Sequence, residues 1–178
     1  MSIRASSSQE SIPMSYLWAL RFILGFQFVS AFARRYINVP AKMEPSSKSF
    51  IGAKFSEFMP HAMWPVQPIL QAVIVHPNVT FGFLTFFSFV ELIVGLFLIT
   101  GTFTKLAAFG AALLCLVILM GAGWMGTSCV DEWQIGTVEG IGAMIFMFAG
   151  GGSLSVDHWL RRYFSGTIKL GKWHIHLL

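Results

Sequence analysis

Charge is what this sequence has little of. Lys, Arg, Asp and Glu together make up 11% of its 178 residues, against about 25% in an average soluble domain. That deficit excludes a surface that meets water on every side. The net charge of +4 is carried by scattered residues rather than a dense basic tract, which argues against nucleic-acid binding. Cysteine is scarce too: Cys115 lies in an apolar run and reads as a small core residue, and Cys129 lies in a polar connection. There is no CxxC and no Cys/His cluster with metal-ligand spacing. His174 and His176 flank Ile175 at the tail, too few ligands for a metal site by themselves. No flavin or haem motif is visible, and no inverted repeat of the kind that builds transporters.

Apolar bulk takes the place of charge. The chain is 55% hydrophobic, with 18 Phe, six Trp and a mean hydropathy of +0.68. Four runs stand out, at about residues 14–33, 81–100, 105–123 and 133–149. About 20 helical residues cross a bilayer, so the expected fold is an all-α integral membrane protein. It would be one domain over 1–178, a four-transmembrane-helix bundle with an amphipathic C-terminal tail at 153–178. Ala31-Phe32-Ala33 has the look of a signal-peptide cleavage site, but Arg21 interrupts the apolar core before it; a retained first helix is expected. Between the first two runs lies a long connection, 34–80, holding six of the seven prolines. These forbid one continuous helix, and the apolar stretch FMPHAMWPVQPILQAVIV is suited to lie along the interface or cap the bundle. Small residues four apart predict close helix contacts: Gly136 with Gly140, Ala107 with Ala111, and Ala108 with Ala112. The Lys and Arg distribution favours both termini in the cytoplasm.

Three groups of residues are candidates for chemistry. The first lies within the apolar runs: Arg21, Glu91 and Glu139, with Gln27. An ion at membrane depth costs at least about 2.5–3.5 kcal/mol on insertion scales, so such a charge needs a partner. Arg21 and Glu91 sit near the middle of their runs and are expected to pair. That pair would be either a staple between helices or, with Glu139, the polar wall of a quinone site and a proton path. The second group is the loop from Trp124 to Trp133, where Cys129 neighbours Asp131 and Glu132. A partly exposed thiol there could react with sulfur species, or it could be a bystander; both Trp residues suit an interfacial belt. The third is Arg34-Arg35, whose guanidinium groups suit a small oxyanion or simply anchor a helix end. His61 and Trp64 lie on the same expected face.

These residues carry a family resemblance. Arg21-Phe-Ile-Leu-Gly25 and Glu91-Leu-Ile-Val-Gly-Leu, with Gly101-Thr-Phe-Thr-Lys-Leu-Ala-Ala, resemble the DoxX-like membrane proteins. The segment Gly126-Thr-Ser-Cys129-Val-Asp-Glu-Trp-Gln-Ile-Gly136 is similar to the DoxD branch. The resemblance implies the larger subunit of an archaeal thiosulfate:quinone oxidoreductase, which oxidises thiosulfate to tetrathionate and passes electrons to a caldariella-type quinone. It also implies a second subunit, DoxA, and a multi-pass place in the plasma membrane. On that expectation Cys129, Arg34, Arg35 and Asp131 act on thiosulfate, while Arg21, Glu91, Glu139, Trp124, Trp133 and His61 surround the quinone. The competing expectation is a non-catalytic anchor for a separate redox subunit.

Overall fold

A computed structural model of the chain describes the backbone of residues 14–122, 130–163, 167–170 and 173–176. Four long helices dominate it: α1 (Trp18–Ala33), α4 (Pro77–Thr100), α5 (Thr104–Ala122) and α6 (Val130–Ala149). Three short ones, α2 (Lys54–Phe58), α3 (Val66–Val73) and α7 (Val156–Leu160), join them, and a hairpin of β1 (Thr167–Leu170) and β2 (Trp173–His176) follows. Two helices, α4 and α5, are long and apolar enough to cross a membrane. Successive long helices run in opposite directions, with α1 packed chiefly on α4 and α5 on α6.

Small residues set the contacts. A Cβ at Gly25 would lie 2.6 Å from the Gly95 carbonyl oxygen, and one at Gly95 would lie 2.7 Å from that of Gly25. The α1 and α4 backbones therefore touch, as glycine pairs permit in lipid. Gly136 and Gly140 face Leu119 and Cys115 of α5, and Ala107, Ala108 and Ala111 are buried. The outward faces carry Trp18, Phe22, Phe26, Phe86, Leu106, Val138 and Phe148, all well exposed. Apolar side chains pointing outward all along a bundle suit a lipid environment.

The predicted boundaries shift where local chemistry decides. Helix α4 starts four residues early because Pro77 occupies its first position, where a missing N–H costs nothing. It stops at Gly101, whose φ of 71° is the left-handed conformation that glycine adopts freely. The first long helix does not end at Ala33. A π-helical turn, Arg34–Asn38, extends it, so Arg34 and Arg35 continue the helix instead of closing it. The long connection caps the bundle at this end. Val66, Leu70 and Val73 form the buried face of α3, the Met63 N–H donates to the Met120 carbonyl at 2.8 Å, and Val66 and Leu70 lie against Gly121.

The opposite end closes on the tail. The Asp157 carboxylate accepts from the Phe103 N–H at 2.6 Å and the Thr104 N–H at 2.7 Å, capping the start of α5, where anionic groups are favoured. Phe103 has a φ of 45°, an uncommon conformation for a bulky residue, and this hydrogen bond holds it there. The tail expected as an amphipathic surface segment at 153–178 is described in two parts. Its first part is locked into the bundle, with Asp157 only 2% exposed, and its last part pairs as a hairpin.

Candidate functional site

The α4 face that looks into the bundle carries Thr80, Leu84, Ser88, Glu91, Gly95 and Leu98, all buried. Spacings of three and four put them on one stripe. Within that apolar stripe Ser88 and Glu91 form a polar step, 0% and 2% exposed. Their partner arrives from the π-helical turn. Arg35 donates through Nη1 to the Ser88 Oγ at 2.9 Å and to Glu91 Oε2, and through Nη2 to Glu91 Oε1 at 3.4 Å. A guanidinium and a carboxylate in this fork geometry form a strong, directional pair. The Arg35 Nε–H is buried and has no partner among the described residues.

The expected Arg21–Glu91 pair does not form, and the helix register shows why. Gly25 stands opposite Gly95, and the Tyr36 hydroxyl donates to Thr85 Oγ1 at 3.0 Å. Arg21 therefore lies one turn to one side of the glycine contact and Glu91 one turn to the other. At 1.5 Å per residue they are separated by about 12 Å along the axis. Arg21 is committed elsewhere. Its Nη1 donates to the Gly151 carbonyl at 2.5 Å and its Nη2 to the Leu154 carbonyl at 2.6 Å, with Asp157 close enough to add charge attraction. It fastens the tail to α1 and takes no part in the Glu91 cluster.

The Glu91 step continues across the bundle. Glu139 of α6 interacts electrostatically with Glu91, and the Cys115 thiol of α5 donates to Glu139 Oε2 at 3.9 Å. Cys115 is 1% exposed, a core residue as expected, but one with a polar neighbour. Two carboxylates, a thiol, a hydroxyl and one guanidinium thus share the interior near the Arg35 end. Gln27, by contrast, is exposed on the outward face of α1.

Beside Arg35 opens a cleft of about 280 Å³ lined by Arg35, Tyr36, Pro40, Ala41, Met43 and Glu44. Arg35 thus stands between the cleft and the buried Glu91. Arg34 is exposed and does not line the cleft, so one of the two adjacent arginines faces it. They are held apart by the turn that sends one inward. His61 is exposed on the turn Met59–His61 and is likewise absent from the cleft wall. Cys129 and Trp124 lie outside the described residues. Asp131 and Trp133 are described as backbone in the first turn of α6, which begins at the Arg35 end of the bundle. Among the described residues no three His, Cys, Asp or Glu side chains gather as a metal site.

Ser88, Tyr36, Thr85, Glu44 and Asp157 were not singled out from the sequence. Ser88 carried a readable signal, since a hydroxyl three residues before a buried acid shares its helix face. Asp157 carried another, following the N-cap Ser155 whose Oγ accepts from the His158 N–H at 3.2 Å.

A family model described as TQO small subunit DoxD matches residues 16–178. No solved structure matches the chain.

Proposed function

The chain belongs to the DoxD family, and from that premise we propose that it is a membrane subunit of a thiosulfate:quinone oxidoreductase that takes part in thiosulfate binding and oxidation. The family's description names a small subunit, where the sequence resemblance implied the larger one. The observation that carries the proposal is the double position of Arg35, in the wall of a cleft and against a buried carboxylate. A cation in that place can attract a small dianion to the bundle end while interior groups handle protons.

In this reading the four long helices cross the plasma membrane, with the Arg35 end outside and both termini in the cytoplasm. Thiosulfate docks at the Arg35 cleft, with Arg34 adding positive potential at the rim. Cys129, on the segment that joins α5 to α6 at this end, forms a bond to the outer sulfur of one thiosulfate as two electrons leave. A second thiosulfate attacks that sulfur, forms the central bond of tetrathionate and returns the Cys129 thiolate, as in thiol–disulfide exchange. Asp131 helps to position the loop. A membrane quinone supplies the two-electron sink for the overall reaction, and a second subunit of the DoxA type completes the enzyme. Arg21 and Glu91, two of the residues expected to surround a quinone, lie apart: Arg21 is at the far end from Glu91, and α1 and α4 touch between them. No step is therefore assigned to a quinone pocket in this chain.

Replacing Cys129 by Ser in the assembled enzyme tests the thiol chemistry. Turnover with thiosulfate and decyl-ubiquinone should fall to background. Turnover near wild type would refute the role of Cys129 and leave the subunit as an anchor for chemistry in its partner.

A further inference from the structure

Arg35 has more donors than partners. Its two terminal nitrogens are engaged by Ser88 and Glu91, but its Nε–H has no partner among the described residues although it is buried. The same side chain walls the cleft. It sits on a π-helical turn, a geometry frequent at functional sites. An anion entering the cleft would meet the Arg35 side chain in its wall and compete with Glu91 for the guanidinium, whose buried Nε–H is still unpaired among the described residues.

Glu91 cannot remain a bare carboxylate if Arg35 leaves it. The charged and titratable groups that face it are Arg35 and Arg34 from the extension of α1, Cys115 from α5 and Glu139 from α6. Its own helix contributes only the Ser88 hydroxyl, which also serves Arg35. Arg34 is exposed and its charge is screened by solvent. Glu139 repels it, and the thiol already donates to Glu139. With Arg35 gone, the solvent-screened attraction of exposed Arg34 is what offsets the buried charge among the described residues, and a carboxylate so weakly compensated at this depth takes up a proton. The opposing charge in the cleft wall is Glu44, exposed and accepting from Ser46 Oγ at 3.2 Å.

We propose that the cleft binds a small oxyanion by drawing the Arg35 guanidinium away from Glu91, so that each anion bound carries one proton into the bundle interior. This rests on the reading that the oxyanion substrate docks at Arg35, and it adds a coupling to it: the anion and the proton arrive together. No bond is made or broken apart from the new O–H on Glu91, whose proton comes from solvent. By linkage, the anion's association constant falls about tenfold per pH unit wherever one proton is taken up on binding.

Isothermal calorimetry on the assembled enzyme in detergent tests this, with thiosulfate as the probe and no quinone added. Titrations in two buffers of different ionisation enthalpy count the protons. Wild type should take up one proton per thiosulfate. Glu91→Gln should bind thiosulfate with no proton uptake and with an affinity independent of pH, whereas Glu139→Gln should keep the uptake. Uptake that persists in Glu91→Gln, or wild-type binding with no uptake, would overturn the coupling while leaving Arg35 as the docking residue. A complete lack of thiosulfate binding would overturn both. If the Glu91→Gln protein does not accumulate, infrared difference spectra of wild type decide the matter. Adding thiosulfate should raise a protonated-carboxyl band, and its absence would refute the proposal.

Discussion

The contact between Gly25 and Gly95 sets the depth of every charge in the bundle, so enlarging it should be costly in a measurable way. In Gly25→Ala the new methyl would lie 2.6 Å from the Gly95 carbonyl oxygen and 2.8 Å from the Ile99 backbone nitrogen and Cγ1. Backbone atoms cannot rotate aside as a side-chain end can. Restoring an ordinary contact requires α1 and α4 to part by about 0.8 Å. Overpacking of this kind costs about 1–3 kcal/mol. At about 2–4 °C per kcal/mol for a chain of this size, the melting temperature should fall by several degrees. Gly82→Ala is the matched control, because nothing lies within 4 Å of a Cβ there. It should melt at the wild-type temperature or slightly above, since Ala favours a helix over Gly. Cys115 supplies the readout. Its thiol is 1% exposed, so a thiol-reactive dye labels it only as the bundle opens, in a Cys129→Ser background with thermal ramping in detergent. The double substitution Gly25→Ala/Gly95→Ala should cost less than the sum of the singles, because one parting of the helices relieves both clashes. Equal melting of Gly25→Ala and Gly82→Ala would refute the helix contact and the register drawn from it.

Two further outcomes follow from the two arginine clusters. Arg35→Leu strands a buried Glu91 and should destabilise the protein by about 3–5 kcal/mol, while Arg35→Leu/Glu91→Leu should recover most of that loss; the same dye-based melting experiment measures both. Arg21→Gln removes donors from the Gly151 and Leu154 carbonyls and should cost about 1–3 kcal/mol, yet turnover per folded enzyme should stay near wild type; a collapse of turnover in folded Arg21→Gln would return Arg21 to the chemistry.

The long helices were legible because long apolar runs leave little ambiguity, and the cores of all four runs are where the sequence puts them. Glu91 and Glu139 were legible as interior groups because an acid inside an apolar run escapes lipid only by facing the bundle interior. Their partners were not. Arg21 looks mid-span only while Arg34 and Arg35 stand as a stop signal. Once the helix continues through Asn38, Arg21 falls near one end and Arg35 becomes the cation within reach of Glu91. A side chain as long as arginine can act several ångströms from its own backbone, so sequence position alone does not fix where its charge goes. The register rests on Gly25 and Gly95, two glycines in different runs whose facing is a tertiary fact. The cleft was beyond sequence reasoning for the same reason: its wall joins the π-helical turn to residues of the proline-rich connection.

The hold that Gly151 and Leu154 keep on Arg21 has a consequence in time. Synthesis makes α1 before the other three long helices, with a permanent positive charge one turn inside it. The carbonyls that satisfy that charge are made 130 and 133 residues later, after three more long helices. The first helix must therefore wait in an incomplete state for the last to return to it. A chain broken off before Gly151 would keep that charge without these two acceptors, and so would bear a built-in mark of unfinished synthesis.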